Sequence, residues 1–168
     1  CKIYAADGYL VAWQDYIGLG KGKGYHPYQH LETQGQSGVD LLFACKQINK
    51  ELNIKTNNQL FIAGYSQGGH ATMSVHKTLQ EKYADDFTVT ASSPMSGAHD
   101  MSGVQNELMI KEYSQPHYLP FLLYGYQKMY QIFPDMKTFY NAFKPEYRHV
   151  LDKILAKKSS VSEINNML

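Results

Sequence analysis

The chain has 168 residues, of which 43% are hydrophobic and 18% are charged, a composition typical of one globular domain with its own core. Lys and Arg total 16 and Asp and Glu total 15, so the net charge of +1 gives no electrostatic basis for binding nucleic acid or an anionic membrane. No apolar run approaches the ~20 residues that a membrane helix needs, and no signal peptide opens the sequence. We therefore expect neither an integral membrane segment nor a nucleic-acid partner.

The cysteines and histidines show no spacing typical of a metal site. Cys1 and Cys45 allow one bridge or two free thiols, and no Cys-x-x-Cys pattern is present. His26 and His30 lie close in sequence, but Pro27 disrupts a helix there and no third ligand accompanies them. We therefore expect no metal and no cofactor.

The first part of the chain predicts the end of a helix, a strand and a loop. Residues 1–6 are typical of a helix end, which Asp7 and Gly8 stop. Residues 9–13 are mostly apolar and predict a buried strand. Residues 15–24 predict a glycine-rich loop, which is not a phosphate-binding loop because the Lys-Ser/Thr context is absent.

The next part of the chain alternates between helix and strand. Apolar residues recur at helical spacing from about Gln36, with Ser37 as a suitable N-cap. The elements that follow are a buried strand at 60–63, a turn at 64–69, a helix at 71–83 and a strand at 87–92. This alternation predicts an α/β fold with a parallel sheet.

The sequence changes character after about Ser102. Tyr and Phe crowd residues 113–143, and prolines at 116, 120, 134 and 145 interrupt them, without the pattern of a strand. We interpret residues 1–102 as an α/β core and residues 103–168 as a helical, aromatic-rich cap with a further helix over 150–168. The cap is either a substrate-binding lid or a set of packed helices, and both interpretations are open.

The motif Gly64-Tyr65-Ser66-Gln67-Gly68 gives the strongest chemical signal. It follows an apolar strand and opens a helix, which is the context of a nucleophile elbow that exposes a serine oxygen. Glycines beside the serine avoid collisions with the neighbouring strand and helix. We therefore predict Ser66 as the nucleophile and the backbone N–H of Gln67 as an oxyanion donor at the positive end of the helix. The alternative is a glycine-rich turn with an incidental serine.

Several segments together resemble the secretory-lipase-like branch of the α/β-hydrolases. They are AADGYLV (5–11), DYIGLG (15–20), HPY (26–28), GYSQGGH (64–70) and SPMSGAHD (93–100). The resemblance implies the central part of an α/β-hydrolase fold, roughly from the fourth strand through the cap. It also implies a secreted or periplasmic serine hydrolase that acts on a small carboxylic ester or a lipid through an acyl-enzyme.

The same resemblance places parts of the machinery outside this sequence. The order in such hydrolases is nucleophile, acid, histidine, so the acid and the histidine are expected after the cap, beyond Leu168. The second oxyanion donor is expected before Cys1. If residues 9–13 are the fourth strand and 60–63 the fifth, the strand that joins them is missing, and we expect an incomplete sheet whose missing strands come from another segment or chain. This stretch alone is therefore expected to have little or no activity.

The histidines after Ser66 do not predict an internal triad. His99 and Asp100 are adjacent in a loop near the expected site, but the resemblance makes them a structural turn. We expect the other histidines to pack or to face solvent, and they are His70, His76, His117 and His149. The alternatives to an esterase or lipase are a peptidase of the same superfamily and a non-catalytic, hydrolase-like binding module.

Overall fold

The computed structural model describes residues 2–156 and 161–167. Its helices are α1 (Lys2–Ala6), α2 (Leu31–Glu51), α3 (Gln67–Lys82), α4 (Val104–Met109), α5 (Tyr118–Tyr130), α6 (Met136–Asn141), α7 (Arg148–Ala156) and α8 (Val161–Asn165), with a 3-10 turn at Pro145–Tyr147. Its strands are β1 (Phe61–Tyr65) and β2 (Ala91–Met95). Two compact units result, one containing the residues up to Lys23 and Leu31–His99, the other Gly24–His30 and the residues from Asp100 on.

Strands β1 and β2 pair in parallel, which confirms the predicted α/β arrangement. Phe61 faces Ala91 at one end of the ladder, and Tyr65 faces Met95 at the other. Strand β1 lies close to its predicted position at 60–63, whereas β2 overlaps the predicted strand at 87–92 only at residues 91 and 92; both are shifted toward their carboxyl ends. The shift arises because backbone pairing continues through residues whose small or turn-forming side chains indicated a turn in the sequence.

The predicted strand at residues 9–13 is wrong. This segment joins no β-ladder among the described residues. Its predicted burial is also wrong, since Leu10 and Trp13 are 55% and 75% exposed. The Tyr9 ring packs edge-on against Phe61 with centroids 5.8 Å apart. A strand needs a hydrogen-bonded neighbour, and the described part of the chain supplies none for this segment.

Helix α2 begins at Leu31, before the start that was predicted near Gln36. Ser37 therefore lies inside the helix, and the prediction that it is the N-cap is wrong. Its hydroxyl instead donates to the backbone carbonyl of Gln34 at 3.2 Å. The first turns of α2 contain glycine and polar residues, which hide the apolar periodicity on which the sequence-based boundary depended.

Two glycines allow α2 to approach α3 closely within the first unit. A Cβ atom on Gly35 would lie 2.8 Å from the carbonyl oxygen of Ser74, and one on Gly38 would overlap the side chain of Val75. The core beside them consists of Val39, Val75 and Leu79, with Leu42, Leu60, Ile62, Tyr83, Phe87 and Val89 packed around it. These glycines are therefore part of the helix interface and do not mark a loop.

One face of the two-stranded sheet is largely exposed in the described part of the chain, with the Tyr9 ring packed against it at Phe61. Side chains alternate along both strands between half-buried and exposed positions, as the pleat of a strand requires. The exposed positions include Phe61, Tyr65 and Met95, which are 46%, 70% and 44% exposed. This apolar face contrasts with the usual α/β sheet, in which helices cover both faces.

The His-Pro-Tyr segment packs against helix α5 within the second unit. The Tyr28 ring stacks on Tyr118 with an interplanar angle of 3° and centroids 5.8 Å apart. Gly125 permits this approach, since a Cβ atom there would lie 3.1 Å from the backbone nitrogen of Tyr28. Residues 24–30 therefore have a packing role in this unit.

Aromatic rings fill the rest of the second unit. Phe139 of α6 is completely buried and contacts the rings of Tyr124, Phe133, Tyr140 and Phe143. Val150 and Ile154 of α7 pack with Ile164 of α8. The predicted tail helix corresponds to α7 and α8, and residues 157–160 between them lie outside the described residues.

Among the described helices, none combines the length and the apolar character that crossing a bilayer requires. Cys45 in α2 carries a free, half-buried thiol. Cys1, its possible partner, lies outside the described residues.

Candidate active site

Ser66 occupies a tight turn between β1 and α3. Its backbone has φ 57° and ψ −117°, a conformation that a residue with a side chain rarely adopts. The Ser66 N–H donates to the carbonyl of Met95 at 2.9 Å, which fixes the turn to the end of β2. Its own carbonyl accepts from the N–H groups of Gly69 and His70 at 2.9 and 3.2 Å. Ser66 is exposed at the carboxyl end of the sheet, as a nucleophile elbow requires.

The glycines of the motif have the steric role that the sequence indicated. A Cβ atom on Gly64 would overlap the backbone of Gly68 at the start of α3. A Cβ atom on Gly69 would lie 2.8 Å from the backbone nitrogen of Gly97, which follows β2. Strand, helix and loop therefore meet around Ser66 with no room for side chains at these two positions.

The N-terminus of α3 places a partial positive charge beside Ser66. Gln67 is the first residue of this helix, which extends over 16 residues. The N–H groups of a first helical turn have no acceptor within the helix, and the aligned peptide dipoles add about half a positive charge there. The backbone N–H of Gln67 follows directly after Ser66, at this end of the helix.

A tyrosine that the sequence did not single out lies beside the elbow. The hydroxyl oxygen of Tyr16 is 3.8 Å from the position that a Cβ atom on Gly68 would take. Burial raises the pKa of Tyr16. The phenol therefore stays protonated at neutral pH and can donate a hydrogen bond. The signal in the sequence was indirect, since Tyr16 belongs to one of the segments that carried the family resemblance.

Three histidines after Ser66 belong to the first unit, and each has its own environment. His70 is buried, with Nδ1 2.5 Å from Gln34 Oε1. His76 is half-buried, and its Nδ1 lies 3.0 Å from Ser92 Oγ. His99 is exposed, and its ring lies against Gly97. No hydrogen bond joins Ser66 Oγ to any of them in the described part of the chain.

The histidines of the second unit are packing or solvent residues. His117 is 1% exposed, with Nδ1 2.8 Å from Asn165 Oδ1. His26 and His30 are buried, and the His30 ring lies 5.2 Å from that of Tyr130. His149 is exposed.

Asp100 holds a structural turn, in agreement with the interpretation that the resemblance favoured. Its carboxylate accepts from the N–H groups of Gly103 at 2.9 Å and Val104 at 3.2 Å, at the start of α4. These backbone hydrogen bonds lower the pKa of Asp100. The Asp100 carboxylate therefore caps the first turn of α4.

The parallel strands, the left-handed serine and the helix that follows define the class of α/β-hydrolase folds. The family model of the secretory lipases matches residues 3–166. The chain therefore belongs to the secretory lipase family.

Solved structures show the same fold over most of the chain. A protein from Legionella pneumophila subsp. pneumophila str. Philadelphia 1, proposed to be a hydrolase, is similar with a TM-score of 0.81 and 28% identity over 92% of this chain. A ligand-bound form of the rice cell wall degrading esterase LipA from Xanthomonas oryzae is similar with a TM-score of 0.71 and 20% identity over 90% of this chain. The chain spans 41% and 40% of the lengths of these two structures. No curated protein sequence matches it.

Proposed function

We propose that the complete protein is a serine hydrolase that cleaves carboxylic esters through an acyl-enzyme on Ser66. The observation that carries the proposal is the left-handed Ser66 at the carboxyl end of β1, with the first turn of α3 directly behind it. Membership in the secretory lipase family supports an ester or lipid as substrate and a secreted or periplasmic location.

The proposed reaction has two halves. Ser66 Oγ attacks the ester carbonyl while a histidine takes its proton, and the N–H of Gln67 stabilises the tetrahedral oxyanion. The oxyanion then collapses and expels the alcohol, which receives the proton from the histidine. Water attacks the acyl-enzyme in the same way and releases the acid.

The histidine and its acid are proposed to come from a part of the full-length protein outside residues 1–168. Two observations support this step. None of the first unit's histidines after the elbow (His70, His76 and His99) is hydrogen-bonded to Ser66 Oγ, and the similar solved structures are more than twice as long as this chain. The usual order of serine, acid and histidine along an α/β-hydrolase chain agrees with it.

The proposal is tested by labelling the full-length protein with a fluorophosphonate probe. We expect wild type to be labelled and Ser66→Ala to lose labelling completely, since no other group replaces the nucleophile. Ser96→Ala is a matched control, because Ser96 follows β2 as Ser66 follows β1 and has a similar φ of 48°. Equal labelling of wild type and Ser66→Ala would refute the assignment.

A non-catalytic binding module is the second candidate, favoured because no histidine of the first unit is hydrogen-bonded to Ser66 Oγ in the described residues. It predicts binding of an ester without turnover or labelling in the full-length protein. A panel of matched ester and peptide substrates separates both candidates from a peptidase, because a peptidase would cleave the amide at a comparable rate.

A further inference from the structure

A buried polar pair joins α2 and α3 next to the elbow. His70 lies in the first turns of α3 and is 8% exposed, and Gln34 of α2 is 3% exposed. Nδ1 of His70 lies 2.5 Å from Oε1 of Gln34. An amide oxygen can only accept, so Nδ1 carries the proton and the ring donates.

Packing alone does not account for this pair. Burying two polar side chains has a desolvation cost that their hydrogen bonds offset only in part, although the Ser74 hydroxyl also lies 3.4 Å from His70 Nδ1. Gln34 Nε2 is also buried without a hydrogen-bond partner among the described residues. Val39 and Leu79 hold the same two helices together by apolar contact. The hydrogen bond therefore fixes the orientation of α3 relative to α2, whereas the apolar contacts hold the two helices together.

The backbone of His70 connects the pair to Ser66. The His70 N–H donates to the Ser66 carbonyl at 3.2 Å, beside the N–H of Gly69 at 2.9 Å. His70 is thus held to α2 by its side chain and to the elbow by its main chain. Gln67, which carries the proposed oxyanion donor, lies in the turn between these two attachments.

We infer that Gln34 and His70 are positioning residues that fix the first turn of α3 and thereby aim the N–H of Gln67 at the oxyanion. The inference rests on the proposed function. Neither side chain needs to touch the reacting atoms. Displacing an oxyanion donor by about 1 Å can cost roughly 100-fold in rate, so a small rotation of this turn matters for chemistry more than for stability.

The kinetic test uses conservative variants of the full-length protein. Gln34→Leu removes the acceptor, and we expect kcat for an ester to fall roughly 10- to 100-fold with little change in KM. His70→Asn keeps a side-chain N–H donor near the position of Nδ1 and should retain most of the rate, whereas His70→Leu should not. Thr78→Val is the matched control, because Thr78 faces Gly35 in the same helix interface and the change removes a buried hydrogen bond within α3, from Thr78 Oγ1 to the Ser74 carbonyl at 2.8 Å. It should lower Tm without changing kcat.

The inference is overturned if Gln34→Leu keeps the wild-type kcat, or if Thr78→Val loses as much rate as Gln34→Leu. A readout independent of activity is imidazole nitrogen NMR, which should show His70 protonated at Nδ1. Amide exchange should accelerate at residues 67–70 in Gln34→Leu and not in Thr78→Val, and equal exchange in both variants would also overturn the inference. If Ser66→Ala still labels, the proposed function fails, and the NMR and exchange results alone decide whether the pair fixes the turn.

Discussion

The three glycines beside Ser66 differ in the space around them. A Cβ atom on Gly64 would overlap the backbone of Gly68, and one on Gly69 would press against Gly97. On Gly68 itself it would meet only the Tyr16 hydroxyl at 3.8 Å, an ordinary contact. The elbow therefore requires glycine at position 64 in β1 and at position 69 in α3, but not at position 68.

This difference predicts opposite effects of three alanine substitutions. Gly64→Ala and Gly69→Ala should each lower the free energy of unfolding by about 1–3 kcal/mol, because the backbone must shift to admit the methyl group. Gly68→Ala should raise it by about 0.5–1 kcal/mol, because alanine loses less conformational entropy in a helix. Urea unfolding measures all three. A Gly68→Ala protein as unstable as Gly64→Ala would contradict the steric explanation.

At the scale of residues, the sequence predicted the elbow and missed its surroundings. The turn at Ser66 could be predicted because its serine and glycines are adjacent in the sequence, although the motif does not reveal the contacts with Met95 and Gly97. Gln34 could not, because its contact with His70 depends on how closely α2 packs on α3, which glycines 35 and 38 decide. Tyr16 was missed because no spacing in the sequence places it beside Gly68.

At the scale of elements, the observed helix and strand boundaries differ from the predicted ones because strand pairing and helix packing determine them. Helix α2 starts at Leu31 because its glycine-containing turns are stabilised against α3. The segment at 9–13 has the composition of a strand, but a strand exists only where another strand can bond to it. Patterns within one segment contain no information about such partners.

Tyr140 of α6 makes the stability of the second unit depend on pH in the alkaline range. Its hydroxyl donates to Asp152 Oδ1 at 2.9 Å, and burial together with this bond raises the pKa of Tyr140 to about 12. In the unfolded chain the Tyr140 hydroxyl ionises with the ordinary pKa of 10.0. The contribution of its hydrogen bond to the free energy of unfolding is therefore complete below pH 10 and is lost as the pH rises toward about 12. Wild type should therefore lose stability over this range more steeply than Tyr140→Phe. Parallel curves from urea unfolding at a series of pH values would contradict the assignment.

At the scale of the whole molecule, the fold class was predictable because helix and strand periodicities alternate over residues 36–92. The number of strands was not, because it depends on which segments find partners. The described sheet has two strands and one apolar face with Phe61, Tyr65 and Met95 exposed. A sheet of this kind is stabilised on one face only.

We expect purified residues 1–168 to hydrolyse p-nitrophenyl esters at a negligible rate. The reason is that Ser66 has no hydrogen-bonded base among the described residues of the first unit, and an unassisted serine hydroxyl is a poor nucleophile at neutral pH. The full-length protein, assayed beside it, serves as the positive control. A robust rate from residues 1–168 that Ser66→Ala abolishes would show that a base lies within them.

The left-handed backbone at Ser66 affects which substitutions are favoured when the protein is selected for stability. A residue with a side chain at φ 57° and ψ −117° carries strain of about 1–3 kcal/mol, most of which glycine would not have. Ser66→Gly would thus trade reactivity for stability in a single step. A selection for thermostability alone would favour that exchange, so a stability screen of this protein must include turnover as a second criterion.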